Sequence, residues 1–283
     1  MVLSSIDRSD RQLRGPSVSV VVPALNEERN LPAVFARLPA DVEVILVDGD
    51  SVDRTVEVAR QLRPSTVVVN QTRVGKGNAL ACGFAVARGD VIVMIDADGS
   101  TDPGEIRRFV SAIARGADFA KGTRFAAGGD SHDITPVRRL GNRGLNGLVN
   151  VLFGTAFTDL CYGYNAFHRS VLDHLDLPPV NASAPAGGRL WGDGFEIETL
   201  INIRVAAAGL RVAEVPSVEA PRLHGESNLN TVRDGMRVLR TIVSEYQQRG
   251  RRLRASQRRP TALPLPRRPV EEAADPTDRR QAA

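Results

Sequence analysis

Three aspartates, Asp96, Asp98 and Asp102, fall within seven positions, and they follow directly on the apolar run Val91 to Ile95. A short β-branched run bounded by turn residues predicts a buried strand of a parallel sheet. Side chains two apart on an extended chain point the same way, so the carboxylates of Asp96 and Asp98 can converge on one object where the strand leaves the core. A divalent metal is one such object. The other reading is an acidic turn, with Asp102 before Pro103 as the N-cap of the next helix.

Polar residues also gather behind other apolar runs. "VSVVVP" (18–23) closes on Pro23 and leads to Asn26 and Glu27, "VEVILVD" (42–48) ends on Asp48 and leads to Asp50, Ser51 and Asp53, and "ADFAKG" (117–122) leads to Thr123 and Arg124. Together with "STVVVN" (65–70) and "VIVMID" (91–96), these runs predict five strands. Between them stand "EERNLPAVFARL", "DRTVEVARQL", "GNALACGFAVARG" and "PGEIRRFVSAIARG", each with apolar residues at helical spacing. Such alternation predicts an α/β fold, its central sheet mainly parallel with helices on both faces, and ligands bind such sheets at the carboxyl ends of the strands. Four strands that deposit acids and hydrogen-bonding groups on that edge predict a site there. Asp53, just ahead of a helical run, is expected to be a cap rather than a ligand.

Charge must be localised before it is read. Of the chain's 37 basic and 33 acidic residues, positions 249–283 hold ten arginines and four acids, which leaves a slightly acidic body of 27 basic and 29 acidic residues. That Arg- and Pro-rich tail is expected to be disordered, a solvated segment or a contact for anionic lipid. Residues 1–16 lack an apolar core and read as a flexible segment, neither signal peptide nor anchor. No apolar run is long enough for a transmembrane helix. Two cysteines, Cys82 and Cys161, suit a reducing cytoplasm and exclude a disulfide framework.

Taken together, the segments "VVVPALNEERNL", "VILVDGDSVDRT", "RVGKGNALACG", "IDADGSTDP", "KGTRF", "FTDLCYGYNAFHRSVL", "GFEIE" and "RLHGESNLN" carry a family resemblance. In this order, over roughly residues 17–245, the chain resembles the family 2 glycosyltransferases, and most of all their dolichol- or polyprenyl-phosphate mannosyl- and glucosyltransferase branch. The resemblance implies a glycosyltransferase A-type fold, a nucleotide-sugar donor, GDP- or UDP-linked, Mg²⁺ or Mn²⁺ as cofactor, and inversion at the anomeric carbon. It implies one domain over 17–248, with a nucleotide-sugar half (17–123) and an acceptor half (124–248). The implied acceptor is a polyprenyl phosphate or a small molecule, with no nucleic acid among the partners. Location is expected to be cytoplasmic, with peripheral contact to the inner face of the membrane through the basic tail.

By the same resemblance, Asp96 and Asp98 match the acids that hold the metal and the donor ribose, and Pro23, Asn26, Glu27 and Asp48 surround the nucleobase and ribose. Asp48 would accept the ring N–H of uracil or guanine. Arg124, Arg138, Arg139 and Arg222 match positions that hold donor or acceptor phosphates, a task suited to the planar fork of arginine. His224 is a further candidate for the diphosphate or metal, against a structural role. The chain departs from its relatives at Ser100, where a Gln often supplies another metal ligand, in the order "DGDS" (48–51), and at Asn228, where lipid-phosphate enzymes carry a lysine.

"RVGKGNAL" is not a phosphate loop, because the required earlier glycine is Gln71 and no Ser or Thr follows Lys76. It reads as a Gly-rich turn opening a helix, either a plain strand-to-helix connection or one whose free N–H groups and Lys76 are offered to the donor. A phosphate monoester is already ionised near neutral pH and attacks without a base, whereas a hydroxyl needs a carboxylate within reach. Asp159 and Asp193 are the candidate bases, with a helix cap as the other reading of Asp193. Residues 177–192 read as a mobile loop placed like a lid, with Trp191 at its end as a sugar platform or an anchor. The stretch "NLNTVRDGMRVLRTIVSEYQQR" reads as a final amphipathic helix. Against the transferase stand a nucleotidyltransferase, for which the N-terminal phosphate loop is missing, a dinucleotide oxidoreductase, for which "PALNEE" replaces the glycine fingerprint, and a degenerate scaffold protein.

Overall fold

The structure, a computed structural model, describes residues 15–184, 189–225 and 231–258, with side chains described to residue 249 except at 231 and 232. Chain contacts separate residues Met1–Gln247 from Gln248–Ala283. The first unit is built on a seven-stranded sheet in the order β3-β2-β1-β4-β7-β5-β8. Its strands are β1 (Val18–Ala24), β2 (Glu43–Asp48), β3 (Val67–Asn70), β4 (Val91–Met94), β5 (Phe119–Thr123), β7 (Asn165–His168) and β8 (Val212–Pro216). All pairs are parallel except those of β7, which runs antiparallel to β4 and β5. A second sheet pairs β6 (Asp130–Ser131) with β9 (Val218–Glu219).

The helices are α1 (Leu31–Arg37), α2 (Thr55–Leu62), α3 (Lys76–Val86), α4 (Ile106–Ala114), α5 (Pro136–Phe153), α6 (Leu172–Leu175), α7 (Ile197–Ala207) and α8 (Thr231–Arg258). Alternation along each strand divides the core between two layers. Val20, Val22, Val44, Leu46, Val91 and Val93 join α1 and α4 on one face, and Val21, Ile45, Val47, Ile92 and Met94 join α3 and α7 on the other. A third cluster, from Val149 and Phe153 of α5 to Val238 and Ile242 of α8, lies apart from both. This is the expected mainly parallel α/β sheet, covered on both sides.

The sequence placed the five strands within two residues of their observed bounds. It did not call β7, whose four residues lie within a polar and aromatic stretch and carry no period of their own. Helix α8 runs to Arg258, through the first ten residues of the segment expected to be a disordered tail. Residues 1–14 and 259–283, which make up most of the expected flexible N-terminus and tail, lie outside the described residues. Among the described residues no helix is long and apolar enough to cross a membrane.

Candidate active site

The aspartates of the run divide between a cap and a cleft. Asp102 accepts the Gly104 amide at 2.8 Å, caps the 3-10 turn Pro103–Glu105 and pairs with Arg37 at 2.7 Å. Asp96 and Asp98, just past the end of β4, line a cleft of about 970 Å³. Pro23, Glu27, Lys76, Arg124, Arg138 and Arg222 line the same cleft, so eight of the residues singled out from the sequence share one cavity.

Each cleft aspartate has a cation against it. Lys76 Nζ lies 2.6 Å from Asp96 Oδ1 and 2.8 Å from Glu198 Oε1, a carboxylate delivered by α7. Burial would lower the pKa of Lys76, but the charges of Asp96 and Glu198 more than offset it and hold the ammonium above its usual value. Gly163 closes this cluster, for a Cβ there would lie 3.1 Å from both Lys76 Nζ and Glu198 Oε1. Arg222 reaches Asp98 Oδ2 at 3.2 Å and Glu27 Oε1 at 3.0 Å, which ties the loop after β4 to the loop after β1. Desolvation raises the pKa of Glu27 in spite of Arg222 and of Asn30, whose amide also donates to it. Ser100 donates its hydroxyl to Asp98 Oδ1 at 2.7 Å.

The donor set fits a hard cation in part. Asp96, whose side chain is about a third open (32%), and Asp98 offer carboxylate oxygens of the kind Mg²⁺ and Mn²⁺ take. Among the described residues no third His, Cys, Asp or Glu is close enough to complete a protein cage. Such a set suits an ion that draws its remaining ligands from a diphosphate and water.

Neither candidate base faces the cleft. Asp193 is 1% exposed and grips Arg73 through two bonds, Nε to Oδ2 at 2.8 Å and Nη2 to Oδ1 at 2.9 Å. Nor is it the cap of α7, which begins four residues later. Asp159 is fully buried and holds Arg124 in the same bidentate way, at 2.7 and 2.9 Å, while also accepting from Asn142. Burial alone would raise the Asp159 carboxyl, but the bonds and charge of Arg124 outweigh it and keep its pKa below the usual range. Arg124 is spent within the protein as well, since Nη1 lies 3.0 Å from both oxygens of Glu219.

Four more candidates sit outside the lining. Asn26, at a φ of 58°, locks the loop after β1 to the loop after β2: its amide donates to Ser51 Oγ and its Oδ1 accepts from the Val52 amide. Asparagine tolerates that left-handed geometry, which accounts for the residue type. Arg139 stacks its guanidinium over Phe125 at 5.4 Å, and His224 is exposed, its backbone oxygen bound by Asn30. Asp48 is 6% exposed at the end of β2, where Oδ2 accepts the Ser51 amide and Oδ1 has no hydrogen-bond partner. A buried carboxylate oxygen without a donor is costly.

A sequence model described as "Glycosyl transferase family 2" matches residues 19–176, over half of the chain. The chain belongs to glycosyl transferase family 2. Its similarity to the polyprenol monophosphomannose synthase of Mycolicibacterium smegmatis is 34% identity over 249 residues, 83% of this chain and 89% of the relative. With the undecaprenyl-phosphate mannosyltransferase of Micrococcus luteus it is 31% over 223 residues, 75% and 87% of the two chains. In fold it resembles glucosyl-3-phosphoglycerate synthase from Mycobacterium tuberculosis, solved with Mn²⁺, UDP and glucosyl-3-phosphoglycerate, at a TM-score of 0.64 and 24% identity, covering 84% of this chain and 82% of that one.

In this family 2 glycosyltransferase the Gly-rich turn does different work from that expected. The amides of Gly77 and Asn78, expected to be free for a donor, bind the backbone oxygen of Asp193 at 2.8 and 3.3 Å. Residues 192 and 193 approach so closely that a Cβ on Gly75 would stand 2.1 Å from Asp193 O and one on Gly77 1.8 Å from Gly192 O. Arg73 was not singled out from the sequence, yet it is the hub of this region: Nη1 donates to the carbonyls of Pro179, Val180 and Ala182 at 2.9–3.0 Å. The expected lid over 177–192 is therefore anchored at 179–182 and again at Asp193, and its residues 185–188 lie outside the described residues. Trp191 is 42% exposed and does not line the cleft.

Proposed function

We propose that this family 2 glycosyltransferase inverts and transfers a sugar from a GDP- or UDP-linked donor to a phosphate-bearing acceptor, polyprenyl phosphate before others. One observation carries the choice of acceptor. Among the described residues from 124 onward, the carboxylates that line the cleft are Asp133, Glu198, Glu219 and Asp234, and all are paired, with Arg138, Lys76, Arg124 and Arg237. Carboxylates held by cations are poor bases. A phosphate monoester, ionised with a second pKa of about 6, needs none. The polyprenyl-phosphate acceptors in the names of the two mannosyltransferase relatives have this chemistry.

The roles divide along the cleft. Asp48, beside the cleft-lining Gly49, would accept the ring N–H of the base, Asp96 and Asp98 would hold Mg²⁺ or Mn²⁺, and Arg138 and Arg222, drawn off the carboxylates they hold, would meet phosphate oxygens. The bound cation would neutralise charge on the departing diphosphate. Lys76, held by Glu198, keeps Asp96 from swinging out of the cleft.

The test is thermal unfolding with UDP, GDP, dTDP and CDP, each with Mn²⁺, Mg²⁺ or EDTA. A nucleotide at a hundredfold excess over Kd stabilises by about 2.7 kcal/mol. A shift with one nucleotide, dependent on metal, supports the donor site, and transfer to polyprenyl phosphate or to 3-phosphoglycerate then separates lipid from soluble acceptor. No shift under any condition overturns the transferase reading in favour of a degenerate scaffold.

A further inference from the structure

Helix α5 (Pro136–Phe153) buries Val149 and Phe153 in its last turns, but it also buries polar residues and exposes aliphatic ones. Its inward face carries asparagines: Asn142 binds Asp159 at 2.9 Å, Asn146 binds Thr158 O at 2.5 Å and receives the Leu160 amide at 2.7 Å, and Asn150 exchanges bonds with both backbone groups of Phe157. Its outward face carries Leu140 and Val151, exposed by 73% and 83%. Between them lie Gly144 and Gly147, for which an added Cβ would meet nothing within 4 Å. Packing among the described residues therefore explains neither the exposed aliphatic residues nor the helix-weakening glycines.

The apolar surface continues on a neighbour. Helix α8 packs on α5 through Val238, Ile242 and the edge-to-face pair Phe153–Tyr246 at 5.9 Å. It turns Met236, Leu239, Val243 and Tyr246 outward, each 36–49% exposed, at spacings that form one stripe. Charge on these faces has one sign. No acid occurs in α5, and Asp234 and Glu245 of α8 are buried, whereas Arg139, Arg143 and Arg240 are exposed. The exposed Asp133, ahead of α5, is held by Arg138 at 3.2 Å. Both helices also wall the cleft, through Val137, Gly141 and Leu145 on one and Gly235 and Val238 on the other.

We propose that the outward faces of α5 and α8, up to residue 247, form a docking surface for an anionic lipid bilayer. Aliphatic and Tyr side chains enter the headgroup boundary while arginines meet lipid phosphates, the pattern of an interfacial helix. A second copy of this chain fits less well, because a two-fold contact sets the same patch on itself and brings two arginine-bearing faces together with no exposed acid on either helix to pair them. The docking rests on this surface alone. Its use, to bring a lipid-linked phosphate to the mouth of the cleft, rests on the acceptor proposed above.

Sedimentation of the full chain with phosphatidylglycerol–phosphatidylcholine vesicles, against pure phosphatidylcholine, tests this. Wild type is expected to bind the anionic vesicles, and the double variant Leu140→Glu/Val151→Glu at least tenfold more weakly, with Arg143→Glu intermediate. Neither Leu140 nor Val151 lines the cleft, so the nucleotide-induced thermal shift should be the same in both proteins. Equal vesicle binding by wild type and double variant would place the lipid contact elsewhere in the chain and overturn the proposal. So would wild type that stays in the supernatant, or a dimer seen by analytical ultracentrifugation that the double variant dissolves. Absent nucleotide shifts together with variant-sensitive vesicle binding would refute the transferase reading and leave the docking surface standing.

Discussion

Lys76 stands between Asp96 and Glu198, 2.6 Å from the first and 2.8 Å from the second, so an acid of the donor edge and an acid of α7 share one ammonium. Glu198 has a side chain only 8% exposed and no other cation within reach in the structure as described. Lys76→Met should therefore leave a buried, unpaired carboxylate and destabilise by about 3–5 kcal/mol. Adding Glu198→Gln should recover much of that loss. Urea unfolding of the two single variants and the double gives the coupling directly; losses that simply add would mean the contact contributes nothing.

Asp193 offers a sharper separation of structure from catalysis. Asp193→Asn keeps the shape but strips the charge from a buried pair with Arg73, whose side chain is 5% exposed, and should cost about 3–5 kcal/mol. Turnover of the folded fraction should stay within about threefold of wild type, whereas loss of a general base costs roughly 10²–10⁴-fold. A hundredfold fall in kcat with the fold intact would restore Asp193 as the base.

How the chain came to hide this is instructive. Asp96 and Asp98 were legible because a period-2 strand dictates where its last side chains go, and the family motifs supplied the rest. Asp193, and after it Asp159, looks catalytic in sequence, since a carboxylate in a Gly- or Thr-rich turn has the same local pattern whether it faces solvent or an arginine. Their partners, Arg73 and Arg124, lie 120 and 35 residues away, beyond any local period. The glycines of "VGKGN" were read as openings for a ligand, and they are openings for the backbone of residues 192 and 193. Helix α5 is hard to read by pattern because its buried residues are mixed, Asn142 and Asn146 followed by Val149 and Phe153, so that no apolar stripe runs its length.

The orphan oxygen of Asp48 makes a prediction for the donor. Asp48→Asn retains an oxygen for the Ser51 amide and removes the charged acceptor from the position that lacks a donor. Nucleotide affinity should fall by about 1–3 kcal/mol, the cost of an unsatisfied buried group, or roughly 5- to 150-fold in Kd. Without nucleotide, the melting temperature should move little. Calorimetric titration with UDP and GDP reads the first quantity, and an unchanged Kd for both would remove Asp48 from the base pocket.

Lys121 supplies a pH signature that needs no ligand. It is fully buried, donates to Gly122 O at 2.9 Å and Tyr162 O at 2.8 Å, and burial pushes its pKa down from 10.5 to about 8, with Asp159 opposing and Arg124 assisting. The charged form is thus penalised in the folded state. Below pH 8 both states carry the proton and the penalty is constant; between about 8 and 10.5 the unfolded chain binds more protons, so stability rises with pH; above 10.5 the gain is complete. A shift of this size corresponds to a gain on the order of 3 kcal/mol. Lys121→Met cannot titrate there, so the difference in unfolding free energy should move in favour of wild type across that window. Equal pH dependence in the two proteins, measured by urea unfolding from pH 7.5 to 10.5, would show that the buried ammonium is satisfied by its two carbonyls and pays nothing for its charge.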